Sequence, residues 1–307
     1  MKEDESLRIE IGGINFGNPV LVAGGTFGFG EEYSQLIDIN ELGGIVTKTV
    51  TMEPREGNLP PRLAETPCGL LNAIGLENPG VEVFIKTKFP FLQKLNTRII
   101  VSIGGEDEED YFHLGQRLSH LEGIDGLEVN ISCPNVLKGG FILGTKPKLV
   151  FSLVKGLKNV VDFPLIVKLT PNVTDIVEIA QAAKEGGADA LSLINTLWGM
   201  AIDVETRKPK LGNITGGLSG PAIKPVAVRM VWQVFQKVGL PIIGMGGIMS
   251  TEDALEFILA GASAIAIGTA NFVDPQTPFK VKEGIREYLN KKGIGNFREL
   301  IGTININ

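Results

Sequence analysis

VTDIVEIAQAAKEGGADALSLI (Val173–Ile194) contains one complete unit of a repeating fold. An amphipathic stretch, Val173–Glu185, has the spacing of a helix lying on an apolar surface, and Gly186 stands where that helix should stop. The apolar run Ala190–Ile194 then has the length and composition of a buried strand. The same order returns in TEDALEFILAGASAIAIGTA (Thr251–Ala270), where Gly261 takes the place of Gly186 and AGASAI echoes GGADAL. Working outward, strand cores are expected at Val20–Ala23, Gly44–Thr47, Ile99–Ser102, Gly126–Asn130, Leu165–Lys168, Ala190–Ile194, Ile242–Met245 and Ala264–Ile267. Further helices are expected at Asp107–Leu121, Pro147–Lys158, Ile223–Val238 and Thr251–Leu259, with Gly239 as another stop. Alternating strands and helices make parallel pairs, so the expectation is an α/β chain closed as a (β/α)8 TIM barrel, a single domain over 1–307. The alternating segment Leu7–Asn18 predicts a hairpin over the barrel bottom.

Two stretches break the rhythm, Val50–Pro90 and Asn195–Pro221, and both follow strand ends. In a parallel barrel, such insertions lie on the face that carries ligands. Composition narrows the ligands. The net charge of −6 is spread along the chain without a basic stripe, which argues against nucleic acid and anionic membranes. The start MKEDESLRIE is acidic and no apolar run reaches the ~18 residues of a membrane span, so a cytoplasmic protein is expected. Two cysteines, Cys68 and Cys133, cannot build a zinc or iron–sulfur site, and no metal is expected.

The strand ends expected on the ligand face carry Lys48, Ser102, Asn130, Lys168 and Asn195, with no Asp or Glu among them. Lysines supply positive charge and amides both donate and accept, which suits an anionic or imide-bearing ligand. Late in the chain SGPAIKP (Ser219–Pro225), GMGGIMS (Gly244–Ser250) and AIGTA (Ala266–Ala270) place glycines at strand-to-helix junctions. Such junctions expose amides to phosphate, so Gly246, Gly247, Gly268 and Thr269 form the expected cradle; FMN, a sugar phosphate and PLP all satisfy it. A lyase with Lys168 as Schiff-base lysine is one chemistry such a barrel could run.

The string NISCPN (Asn130–Asn135) separates these possibilities. With TKTVT (Thr47–Thr51), NAIGLEN (Asn72–Asn78), INTLWGMAID (Ile194–Asp203) and the glycine motifs, it resembles the dihydroorotate dehydrogenase family over nearly the whole chain. Dihydropyrimidine dehydrogenases carry His where this chain has Asn135. The resemblance implies oxidation of dihydroorotate to orotate in pyrimidine biosynthesis, with hydride passing from C6 to FMN and Cys133 taking the C5 proton. It implies FMN contacts from Gly24, Lys48, Thr49, Ser102, Asn130, Lys168, Ile194, Gly220, Gly246, Gly247, Gly268 and Thr269. Substrate contacts are implied for Lys48, Asn72, Ala73, Ile74, Gly75, Leu76, Asn130, Asn135, Asn195 and Thr196. Family members commonly have Ser where this chain has Ala73, and Ser or Cys near Gly25.

GMAID and ETPCGLLNAIGLENPG (Glu65–Gly80) resemble the subclass that uses NAD, ahead of the fumarate-using homodimers. That subclass implies a partner subunit with FAD and a [2Fe–2S] cluster, around a homodimer core within a heterotetramer. His113 and His120 fall on one amphipathic helix and are expected at the surface. Cys68 is expected as a small packing residue, and Trp198 as either a lid over the site or part of the interface with an electron-transfer subunit.

Overall fold

A computed structural model describes residues 5–131 and 143–305. Its centre is a closed barrel of eight parallel strands: β1 (Val20–Val22), β2 (Gly44–Val46), β3 (Arg98–Ile103), β4 (Gly126–Asn130), β5 (Leu165–Lys168), β6 (Ala190–Leu193), β7 (Ile242–Met245) and β8 (Ala264–Ile267). Each strand pairs with its sequence neighbours, and β8 closes on β1 through Ile265 opposite Val20. The strands are almost wholly buried because side chains fill the barrel on one face and helices cover the other. This is why they read as continuous apolar runs.

The outer layer includes α1 (Glu108–Leu118), α2 (Pro147–Lys158), α3 (Ile176–Gly186), α4 (Lys224–Val238), α5 (Thr251–Ala260) and α6 (Thr277–Lys292). Asp107 and Asp175 cap α1 and α3, accepting from the amides of Asp110 and Val177 at 3.0 and 2.8 Å. The stop of α3 is Gly187, left-handed at φ 102°, one residue beyond the expected Gly186. Gly186 itself lies in the last turn, where a Cβ would come 2.9 Å from both the Phe151 carbonyl oxygen and Val154 Cβ, so close helix packing requires it. Helix α6 lies outside the helices expected from the sequence; its buried stripe includes Val281, Ile285 and Leu289, at i, i+4 and i+8.

The hairpin is present as Ile9–Ile11 paired antiparallel with Ile14–Phe16. It closes the barrel bottom: Phe16 packs at Gly44 and Ile14 at Gly126, the first residues of β2 and β4. The two long insertions meet each other at the opposite end. Leu63–Thr66 and Gly69–Asn72, from the first, join Leu197–Met200 and Thr215–Ser219, from the second, in one four-stranded antiparallel sheet.

At the top of β1, Gly24 marks the closest approach of two barrel units. A Cβ there would lie 1.9 Å from the Thr47 carbonyl oxygen, in backbone held by the neighbouring strands. Gly24→Ala is expected to cost about 1–3 kcal/mol through overpacking. The check is a urea titration, where the midpoint should fall with an unchanged slope.

Candidate active site

Parallel strands bring all eight C-terminal ends to one face, and there a cavity of about 330 Å³ opens under the four-stranded sheet. That volume is within the range of small-molecule and cofactor sites. One end is glycine-rich, with Gly220, Gly246, Gly247, Gly268 and Thr269 in its wall. Gly220, Gly246 and Gly247 have φ of +89°, +123° and +86°, conformations that side chains rarely adopt. The other end presents Lys48, Thr49, Asn72, Asn130, Lys168, Asn195 and Thr196. Ile194, Ile223, Met245 and Ile248 add apolar surface to the same wall.

Most of the expected contacts are therefore brought together, Ile74, Gly75 and Leu76 included. Gly24, Ser102 and Ala73 do not line the cavity. Gly24 is packed against Thr47, Ala73 is buried with Leu71 and Leu211 on the face of the sheet turned away from the cavity, and Ser102 is 1% exposed inside the barrel. Cys133 and Asn135 lie outside the described residues. Asn130, three positions before Cys133, is held in the wall: Tyr111 Oη donates to its carbonyl oxygen at 2.9 Å, and its Nδ2 donates to Thr49 Oγ1 at 2.9 Å.

The five strand-end residues include no Asp or Glu, but two carboxylates approach this face from other positions. Glu77, from the first insertion, reaches the wall and is paired with Arg62 at 2.6 Å. Glu128 lies two residues inside β4 and is 1% exposed. Residues two apart on a strand point the same way, so Glu128 sits directly below Asn130 in the barrel interior. It faces Lys168, with Nζ 3.4 Å from Oε1. The two lysines of the wall therefore differ. Lys168 is paired, whereas Lys48 meets no carboxylate among the described residues and brings positive charge to the cavity.

Asn172 also escaped the sequence reading. Its Nδ2 donates to the Thr196 carbonyl at 3.0 Å and its Oδ1 accepts from the Trp198 amide at 2.9 Å, orienting the start of the second insertion. The Asn72 amide donates across the sheet to the Gly217 carbonyl at 3.2 Å. Trp198 is 45% exposed and not in the cavity wall, and Cys68 is exposed and so no packing residue. His113 and His120 are exposed as expected.

Of the glycines expected to hold phosphate, Gly246 and Gly247 lie just before α5, whose N-terminus is capped by its own side chains. Ser250 and Asp253 form a capping box, in which Asp253 Oδ2 accepts from the amides of Met249 and Ser250 at 2.9 and 3.0 Å. Burial pushes the Asp253 carboxyl up, but hydrogen bonds from Lys224 and the Met249 amide outweigh it and leave the group below its ordinary range.

FMN fits this donor set. Its phosphate suits the glycine turns, and its ring system suits apolar walls edged by amides and a lysine. At Gly25 an added Cβ would meet nothing within 4 Å, and at Gly268 only Ala23 Cβ at 3.9 Å. Gly268→Val is accordingly expected to leave the fold intact and fill the cradle. The check is the ratio of visible to protein absorbance, which should drop toward that of flavin-free protein while the far-UV spectrum is unchanged.

Comparison with known proteins agrees with this geometry. The dihydroorotate dehydrogenase family model matches residues 6–289. A protein of Caldicellulosiruptor bescii called dihydroorotate dehydrogenase B (NAD(+)), catalytic subunit, is 56% identical over 98% of this chain and 100% of its own. Its namesakes in Geotalea daltonii and Thermoanaerobacter pseudethanolicus are 54% and 51% identical, each over 98% of this chain and 98% and 99% of their own. Among solved structures, a DHODH of Eimeria tenella in complex with ferulenol superposes with a TM-score of 0.82 at 25% identity, covering 98% of this chain and 89% of that one.

Proposed function

The chain belongs to the dihydroorotate dehydrogenase family, and we propose that it is the catalytic subunit of an NAD-dependent enzyme that oxidises dihydroorotate to orotate in pyrimidine biosynthesis. The agreement with NAD-dependent catalytic subunits along nearly the whole chain carries this reading ahead of the fumarate-using type. The lyase alternative is less favoured because it leaves NISCPN idle, and Lys168 Nζ, the amine it would use, is turned toward Glu128 Oε1 at 3.4 Å.

FMN, when bound, supplies the acceptor for the hydride leaving C6 of the substrate. Lys48, which meets no carboxylate among the described residues, binds the anionic substrate, and Asn72, Asn130, Asn195 and Thr196 meet its polar ring atoms. Cys133 takes the proton from C5. The four-stranded sheet covers the cavity and limits water around the reacting atoms.

Electrons leave toward NAD through a separate subunit, to which we assign FAD and a [2Fe–2S] cluster. A plant-type cluster is held by four cysteine thiolates, and this chain has two cysteines. Trp198 and Met200, on the exposed face of one strand, and the neighbouring Ile202 and Val204 are 45–80% exposed, apolar surface of the kind that subunit contacts cover. We assign this surface to the contact with that subunit, and take the assembly to be a heterotetramer around a homodimer core, with the chain acting as one domain in the cytoplasm. No described helix is long and apolar enough to cross a membrane.

The test is anaerobic addition of dihydroorotate to the purified chain. A yellow protein bleached by dihydroorotate, yet slow to reduce NAD until the partner is added, is the expected result. A colourless protein that takes up no FMN refutes the cofactor, and rapid NAD reduction by the single chain refutes the partner.

A further inference from the structure

We propose that Glu128 is the positioning residue of this site, setting both the net charge at Lys168 and the orientation of the Asn130 amide; the inference rests on the flavin reading above. Three strands converge on its buried carboxylate. Ser102 Oγ, from β3, donates to Oε1 at 3.1 Å; Ser192 Oγ, from β6, donates to Oε2 at 3.0 Å; Lys168 Nζ, from β5, reaches Oε1 at 3.4 Å. A carboxylate removed from water is costly unless donors and a counter-charge surround it, and here both do. A purely structural barrel core would be served as well or better by an apolar residue at this position.

The first consequence concerns charge. Lys168 lines the cavity, and Glu128 offsets its positive charge from the barrel side. The wall at this point carries a dipole in place of a full unit charge. An added electron pair on a flavin against that wall is stabilised less than it would be by an unpaired lysine, so Glu128 holds the flavin's midpoint potential down. A lower potential makes the reduced cofactor a better donor to the next carrier.

The second consequence concerns proton order. An ionised carboxylate only accepts hydrogen bonds, so the single hydroxyl proton of Ser102 points at Glu128. Ser102 Oγ must then accept from Thr49 Oγ1, 3.0 Å away, and Thr49 Oγ1 in turn accepts from Asn130 Nδ2 at 2.9 Å. One buried charge thus dictates every donor along the chain and ties the nitrogen end of the Asn130 amide to the wall.

The measurement is the flavin midpoint potential of wild type, Glu128→Gln and Glu128→Asp, with FMN content and thermal stability recorded for each. Glu128→Gln leaves Lys168 uncompensated and is expected to raise the reduced-to-oxidised ratio at fixed poise by about tenfold, near 30 mV for a two-electron couple. Glu128→Asp keeps the charge but draws it away from Lys168, and should give a smaller rise; it decides the matter if the Gln variant does not fold. Ser102→Ala keeps both charges, so its potential should equal the wild type while its KM for dihydroorotate rises. Potentials unchanged or lowered in both Glu128 variants overturn the proposal and leave the flavin reading standing. A wild type that binds no FMN overturns both.

Discussion

Cys133→Ala is expected to slow the bleaching of bound flavin by dihydroorotate by about 10²–10⁴-fold, the usual contribution of a positioned general base. FMN content and melting temperature should not change, because the substitution removes a proton acceptor and leaves the glycine cradle and the Lys48 end of the cavity as they are. Anaerobic stopped-flow reduction at saturating substrate reads the effect directly. The pH dependence has a definite sign. A base acts in its deprotonated form, and an ordinary thiol titrates near ~8.5, so the wild-type rate should rise with pH through neutrality and level off above the thiol pKa. Cys133→Ser should retain partial activity with the rise displaced to higher pH, since an alcohol gives up its proton less readily. A Cys133→Ala protein bleached at the wild-type rate would remove Cys133 from the mechanism.

Lys48→Met should weaken orotate binding by roughly 10²-fold or more, in line with the ~2–5 kcal/mol lost on truncating one member of a desolvated charge pair. The size of the effect follows from the difference between the two lysines. Lys168 has Glu128 beside it, and Lys48 has no carboxylate among the described residues to share its charge with. Methionine keeps most of the length and removes the ammonium, so the sheet above the cavity should still close. Orotate titration followed by the flavin spectrum gives the Kd, and the same spectrum reports whether FMN is retained. A Kd within about threefold of wild type, a difference too small for a lost charge pair, would show that the substrate anion is bound elsewhere.

Much of this molecule was legible in local sequence. The strands Gly126–Asn130, Leu165–Lys168, Ile242–Met245 and Ala264–Ile267 have the expected bounds, and the other four differ by a residue or so at their ends. Buried strands and glycine-stopped helices are written within short windows of the chain, and the period of apolar residues distinguishes them. Lys48, Asn130, Lys168 and Asn195 were legible for the same reason, since each stands at or near the end of such a strand, whereas Asn72 came only with the family motif NAIGLEN. Glu128 was not, because it lies inside GLEVN, where composition says only that the strand is buried. The strand's direction into the barrel makes that carboxylate a partner of Lys168, forty residues away in sequence.

The sequence by itself determined the eight βα units, the glycine turns and the family motif, all of which depend on residues near one another along the chain. Only the tertiary structure decided how distant segments share work. It joined two insertions, 145 residues apart at Asn72 and Gly217, in one sheet over the cavity. It took Ser102 out of the cavity wall and put it in the hydrogen-bond chain below. It gave Lys168 a counter-ion and set none of the described carboxylates against Lys48. The physical reason is common to all three: burial and electrostatics act through space over a few ångströms, and barrel closure alone brings those residues within that range.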